Sequence, residues 1–401
     1  MGLCVSLSEG INSEKVDKTH FKILSTIGKG GFGKVKVAQD RKMIHKIKIT
    51  GRKRSIYARE TPYFAMKFQD LKSLIQKTQL WQNAWTERSL MSKVKSPFVV
   101  ELKYAFLDNL DLVFVMPFLR GGDLGYYLQR GGAMSEREAR FYAAEMLLGI
   151  EAIHKLNYVY RDLKLENVLL DAEGHIRITD LGLAIELSER DKENKNALFA
   201  DRYPPPHHMR TRGCAGTPGY IAPELINMKS YGFMPDFFTF GATLARLISK
   251  TTPFSTKLMD KNSISQREDE FSIHALQVKR ENFPTPWLPK NVSSECRDLI
   301  RRLCAFEEAK RLGFENFWEE VKEHPWFSQN DEGFDWEEVK SKSAKPPIMP
   351  NLEELNFNPL YAAEEQIMGK SRKPLKSEDR DKVQEVFKGI EYNTSRPFQY
   401  E

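Results

Sequence analysis

Residues 21–37 alternate apolar and polar positions, with Phe21, Ile23 and Ile27 leading in and Val35 and Val37 leading out. A two-residue period predicts half-buried strands. The glycine-rich run Gly28-Lys29-Gly30-Gly31-Phe32-Gly33 lies between them, so the segment reads as a hairpin with a bare tip. Tyr63-Phe64-Ala65-Met66-Lys67-Phe68, Phe98-Val99-Val100 and Leu112-Val113-Phe114-Val115-Met116 predict further strands. Between them, about Leu71 to Lys93 reads as one helix with Leu74, Leu80, Ala84, Leu90 and Met91 as apolar positions. Pro117 to Gly122 breaks the pattern and predicts a hinge.

From Asp123 the period turns helical. Ser135-Glu136-Arg137-Glu138 is a capping box that opens a helix running through His154. A second helix is expected from Asp236, with Gly241, Leu244 and Leu247 inside it, and charged and apolar helices continue to His324-Pro325-Trp326-Phe327. Residues 328–401 show no long periodic segment but carry Trp336, Phe357, Tyr361, Phe387 and Tyr392. Disordered tails are poor in aromatics, so this stretch is expected to wrap the folded body.

The 401 residues, 41% of them apolar, suffice for two or three domains or one large two-lobed unit with extensions. A net charge of +6 is too mild to argue for nucleic acid, and no nucleic-acid partner is expected. Cys4, Cys214, Cys296 and Cys304 form no CxxC pair and read as reduced cytosolic thiols. No run approaches the ~18–20 apolar residues of a membrane span. Gly2 and Ser6 in Met1-Gly2-Leu3-Cys4-Val5-Ser6 fit an N-myristoylation pattern, and Cys4 could carry a second acyl group. The piece from Arg41 to Arg59 holds eight Lys/Arg and no acid, either a solvated loop or a patch for anionic lipid. The expectation is a cytoplasmic monomer held at a membrane by these signals.

Chemistry concentrates in Tyr160-Arg161-Asp162-Leu163-Lys164-Leu165-Glu166-Asn167, followed by Asp180-Leu181-Gly182. A carboxylate can take a hydroxyl proton, and an Asn and a second Asp can hold magnesium through oxygen. That is equipment for phosphoryl transfer, where catalysis is mostly positioning and charge neutralisation.

With the hairpin, a strand Lys67, a helix Glu87 and Ala222-Pro223-Glu224, these parts resemble the eukaryotic protein kinases over about residues 21–327. The resemblance implies an α+β, two-lobed protein-kinase fold: a small, mainly β lobe at 21–116, a hinge at 117–122, a mainly α lobe at 123–327. Residues 1–20 would precede it, and 328–401 would form a C-terminal extension. Tyr160, Asp335-Trp336-Glu337, Pro346-Pro347-Ile348-Met349-Pro350, Asn356-Phe357-Asn358 and Phe387-Lys388-Gly389-Ile390-Glu391-Tyr392 resemble the AGC group and its tail. In that group the last segment docks on the small lobe behind the Glu87 helix, and Glu391 supplies a permanent charge where many members carry a phosphate. Gly121-Gly122-Asp123-Leu124, Arg140-Phe141-Tyr142-Ala143-Ala144-Glu145 and Asp180-Leu181-Gly182-Leu183-Ala184 resemble the G-protein-coupled-receptor kinases. Their flanking helical domain has no room in the residues before Phe21, so a minimal relative is expected.

The resemblance implies ATP and Mg2+ as cofactors and proteins as substrates. Asp162 would accept the substrate proton, and Lys164 would neutralise the moving phosphoryl group. Asn167 and Asp180 would hold magnesium. Ile27, Gly28, Lys29, Gly30, Gly31, Phe32, Gly33, Val35, Ala65, Lys67, Glu87, Met116, Asp123 and Leu169 would bind the nucleotide, Lys67 being held by Glu87. Lys164 with Thr217 fits a Ser/Thr acceptor, and Glu224 is expected to pair with Arg311. Gly213 stands where the group usually has a phosphothreonine, with Thr211 the nearest hydroxyl. Arg246 stands where Arg-directed members place a Glu, and a cation there would repel basic peptides; Glu166 and Asp123 still offer acids nearby, so a mixed preference that tolerates neutral or acidic substrate sequences is expected. A catalytically silent scaffold of the same fold is the competing reading. Intact Lys67, Asp162, Asn167 and Asp180 argue against it.

Overall fold

The structure, a computed structural model, describes residues 16–30, 33–42, 63–187, 209–251, 254, 288–328, 334–353 and 374–393. Gly2, Cys4, Gly31, Phe32, Phe357, Tyr361 and the basic stretch from 43 to 59 lie outside them. The chain divides into two compact units. One comprises Met1–Thr78, Leu102–Phe118 and Leu360–Glu401; the other comprises Gln79–Glu101 and Leu119–Pro359.

The first unit is built on an antiparallel sheet. Its strands are β1 (Phe21–Gly30), β2 (Gly33–Asp40), β3 (Tyr63–Asp70), β4 (Tyr104–Leu107) and β5 (Asp111–Pro117), in the order β1-β2-β3-β5-β4. The short strand Tyr392–Asn393 adds to the outer edge of β4, pairing Tyr392 with Ala105. Strand alternation separates two faces. On one, Phe21, Ala38, Phe64, Met66, Phe68, Phe106, Val113 and Val115 form a buried cluster. On the other, Val35 pairs with Lys67 and Lys67 with Phe114, while Val37 pairs with Ala65 and Ala65 with Met116. The helix Leu71–Gln76 buries Leu71, Leu74 and Ile75. The helix Ser377–Val386 packs beside it, followed by the buried Phe387 and Ile390.

Three sequence expectations change here. The stretch 71–93 is two helices, Leu71–Gln76 and Thr78–Lys93, separated by an extended Lys77. Ala84 lies nine residues after Ile75, which at 3.6 residues per turn is the opposite side of a continuous helix. The apolar stripe changes face, and the helix breaks where it does. Phe98-Val99-Val100 is buried but is not a strand; only Val99 makes a single bridge, to Ile178. The strand Tyr104–Leu107 was not anticipated.

The second unit is mainly helical. Glu136–His154 begins at the expected capping box, with Ser135 and Glu138 bonded reciprocally. It packs against Met234–Ser249, nearly every residue of which is buried. That helix in turn meets Ser294–Leu303 at Gly241, where a Cβ would come within 2.8 Å of both Leu303 Cβ and Cys304 Sγ. A small sheet of Gly122–Asp123, Val168–Leu170 and Ile176–Ile178 borders these helices. Burial pushes the Cys296 and Cys304 thiols up, so both are inert packing groups. Among the described residues no helix is long and apolar enough to cross a membrane.

Candidate functional site

The segment Tyr158–Asn167 leaves the short strand Tyr158–Val159, which pairs with Ile185–Glu186, and ends in a helical turn at Leu165–Asn167. Arg161 has φ 68°, a left-handed conformation that is costly for a long side chain. Its surroundings hold it there. Its amide donates to Asp236 Oδ1 at 2.7 Å, its Nε to the Leu183 carbonyl at 2.7 Å and its Nη1 to Tyr231 Oη at 2.8 Å. The turn aims the next residue, Asp162, into a network of side chains.

Asp162 is 4% exposed. Its Oδ1 accepts from the Thr217 hydroxyl at 2.6 Å; its Oδ2 accepts from Lys164 Nζ and from Asn167 Nδ2, both at 2.9 Å. Lys164 Nζ also donates to Thr217 Oγ1 at 2.7 Å, which closes a ring of three residues. Burial pushes the Asp162 carboxyl above the ordinary aspartate range, the neighbouring Lys164 and Thr217 pull it down, and the Asp180 charge adds to the rise. The result is a carboxylate more basic than usual, charge-balanced and fixed in orientation, which suits a proton acceptor.

Asn167 donates twice, to the Asp162 carbonyl and to its carboxylate, both at 2.9 Å. Its carboxamide nitrogen is thereby committed toward Asp162, so its oxygen is the atom available as a ligand. Asp180 has φ 53° and stands at the first position before the helical turn Leu181–Leu183, its side chain not used as a cap. The Thr179 amide donates to the Asn167 carbonyl at 2.9 Å and ties the two segments together. An amide oxygen and a carboxylate suit magnesium, which takes few protein ligands and keeps water or phosphate oxygens. Among the described residues no group of three His, Cys, Asp or Glu forms a closed metal cage.

Leu169 pairs with Asp123 across the small sheet and is half-buried, while its neighbours Val168 and Leu170 face the core. Burial and the Glu166 charge raise the Asp123 carboxyl, whose side chain caps the following helix through the Tyr126 amide at 2.8 Å. Arg246 Nη1 reaches Glu166 at 2.7 Å and also binds Tyr220 Oη at 2.5 Å. Glu166 is therefore already paired within the chain. Glu224 and Arg311 form the expected buried pair, with contacts of 2.6 and 3.0 Å.

In the first unit, Ile27, Gly28, Lys29 and Gly30 lie on β1, and Gly33 and Val35 on β2. Gly28 stands opposite Val35, and Val35, Ala65, Lys67 and Met116 share one sheet face. Gly33 has φ 134°, and a Cβ there would strike the Phe68 carbonyl. Lys67 belongs to the first unit and Glu87 to the second, and both are buried.

Sequence reasoning overlooked Asp236, which accepts from the Tyr160 amide as well as from Arg161. A carboxylate inside the apolar run Phe233-Met234-Pro235-Asp236-Phe237-Phe238 was a signal, because a buried charge needs donors.

A family model for the protein kinase domain matches residues 21–327. The serine/threonine-protein kinase Sgk1 of Danio rerio is 33% identical over 83% of this chain and 64% of its own length. The human rhodopsin kinase GRK1 is 31% identical over 85% of this chain and 53% of its own length. Ribosomal protein S6 kinase alpha-2 of Mus musculus is 31% identical over 87% of this chain, which spans 41% of that relative. On these matches and the fold, the chain belongs to the protein kinase family, in its AGC group of serine/threonine kinases.

Proposed function

We propose that the chain is an ATP-dependent protein serine/threonine kinase. The observation that carries this reading is the Asp162 carboxylate held by Lys164, Thr217 and Asn167. A substrate hydroxyl gives its proton to Asp162 as its oxygen bonds to the γ-phosphorus of ATP; the bond from that phosphorus to the β–γ bridging oxygen breaks, leaving ADP and a phosphoester. Lys164, 2.7 Å from the Thr217 hydroxyl, offsets the negative charge of the transferring group. Asn167 and Asp180 would hold magnesium, which when bound neutralises phosphate charge. Ile27 to Gly33 would cover the phosphates, Lys67 supported by Glu87 would contact them, and Val35, Ala65, Met116, Asp123 and Leu169 would line the nucleoside.

The test is phosphorylation of a generic protein by the full chain and by Asp162→Ala. Loss of signal in the variant is expected; equal signals would favour the silent scaffold.

The substrate reading follows from Arg246. Its guanidinium already pairs with Glu166, so the site does not present that carboxylate to a basic peptide. Neutral or acidic sequences around the acceptor are the expected substrates, and a peptide profile with a strict upstream Arg requirement would overturn this. The membrane association read from Gly2, Cys4 and the basic stretch stays part of the proposal: the chain works on the cytoplasmic side, as a monomer. A Gly2→Ala variant should move to the soluble fraction, and an unchanged distribution would refute the anchor.

A further inference from the structure

Asp236 is completely buried on the apolar helix Met234–Ser249. Three nitrogens converge on its carboxylate. The Tyr160 and Arg161 amides donate at 2.7 Å each, and His154 Nε2 lies 2.7 Å from Oδ2. The other nitrogen of that imidazole, Nδ1, lies 3.0 Å from the indole Nε1 of Trp318.

An indole N–H has a proton to give and no lone pair to accept with. Nδ1 must therefore be the bare nitrogen, and the ring proton sits on Nε2, facing Asp236. The opposite tautomer would set an N–H against the indole N–H and a lone pair against the carboxylate. A doubly protonated ring would keep the first of these clashes. The contact with Trp318 thus admits one form of His154, the neutral ring protonated at Nε2.

Trp318 is itself held firmly. It stacks on Phe237 with centroids 4.0 Å apart and planes 14° from parallel, and meets Phe240 edge-on at 5.7 Å. The preceding Phe317 has φ 51°, a costly conformation for an aromatic residue. It persists in the turn that delivers the indole to this place.

We propose that Trp318 is a positioning residue for phosphoryl transfer: by keeping Nδ1 of His154 bare it holds the ring neutral, so the Asp236 charge stays shared with the Tyr160 and Arg161 amides ahead of Asp162 and is not drawn to a charged imidazolium. Arg161 is the strained residue in this chain of contacts, and its amide bond to Asp236 is one of the restraints on that strain. An imidazolium at His154 would draw the carboxylate away from these two amides, let Arg161 relax and swing Asp162, its neighbour, away from Thr217. The proposal rests on the kinase reading only for its rate consequence; the tautomer does not depend on it.

The test uses the full chain labelled with 15N-histidine, the His154 signals among the eight histidines being identified by their loss in His154→Gln. The parent is expected to show a proton on Nε2 and a bare Nδ1. Trp318→Phe keeps an aromatic ring but has no N–H to oppose a proton on Nδ1; it should populate the ring protonated on both nitrogens, Nε2–H still facing Asp236. Its kcat should fall roughly fivefold, as loss of one hydrogen bond of ordinary strength implies, with KM for ATP unchanged. A Trp318 that only fills space would lower the melting temperature and leave the His154 signals and kcat alone, and that result overturns the proposal. A proton on Nδ1 in the parent overturns it without any variant. If the parent transfers no phosphate, the kinase reading fails, and the spectra still decide the tautomer.

Discussion

Replacing Thr217 by Val removes a hydroxyl and keeps the side-chain shape. Two hydrogen bonds disappear: the 2.6 Å donation to Asp162 Oδ1 and the 2.7 Å acceptance from Lys164. They do not count equally. The Lys164 side chain is 20% exposed and keeps Asp162 as a partner, so water can replace its lost acceptor. The Asp162 side chain is 4% exposed, and its Oδ1 faces a methyl group instead. A hydrogen bond to a charged group is worth about 1.5–3 kcal/mol, and each 1.36 kcal/mol is a factor of ten, so a kcat loss of roughly ten- to hundredfold is expected. Thr217 is one of the groups that pull the Asp162 carboxyl down. Without it the carboxyl stays protonated to higher pH, so the acid limb of the rate profile should move up. The assay is steady-state phosphorylation of a peptide at saturating ATP across pH, with Thr217→Ser as the control that keeps the hydroxyl. A Thr217→Val enzyme within twofold of the parent, or a Thr217→Ser enzyme as slow as Thr217→Val, would refute the reasoning.

Arg311→Met should leave the Glu224 carboxylate buried without its bidentate partner, at a cost of about 3–5 kcal/mol. At about 2–4 °C per kcal/mol for a unit of this size, a thermal melt should fall by roughly 6–20 °C, and Glu224→Gln added to it should recover part of the loss. Burial pushes the Glu136 carboxyl up, but the hydroxyl and amide of Ser293 and the Trp326 indole pull it further down, to a net value below the ordinary 4.5. Its stabilising contribution is therefore full above pH 4.5 and lost as pH falls through the lower folded value, and Glu136→Gln should flatten the acid side of a stability-against-pH curve in that window. Chelation of divalent cations should abolish phosphoryl transfer and leave the melting temperature unchanged, because the described residues form no closed metal cage; a large melting shift would contradict this.

What the sequence disclosed follows the range of the interactions concerned. The helix Glu136–His154 was legible at its start because its capping box is written within four residues. Asp162, Lys164 and Asn167 were legible because they sit on one short loop, where offsets in sequence nearly fix offsets in space. Phe98-Val99-Val100 misled because a buried apolar loop and a buried strand have the same composition. Here the Phe98 carbonyl and the Val100 amide are satisfied by the single residue Ile178, so no ladder forms. The break at Lys77 was present in the sequence as a shift in the phase of the apolar stripe, but a list of apolar positions without their angles hides it.

Asp236 and Trp318 mark the other limit. The partners of Asp236 lie 75, 76 and 82 positions away, and Trp318 reaches His154 across 164. Hydrophobic periodicity reads Met234–Ser249 as an apolar helix, yet it assigns the Trp318 indole only bulk and the inward carboxylate only a misfit. Their meaning depends on one proton between two ring nitrogens, which is set by what each nitrogen faces in the fold. A buried charge in an apolar helix therefore implies that donors exist, and only the structure says that one of them, His154, has its other nitrogen kept bare by a tryptophan.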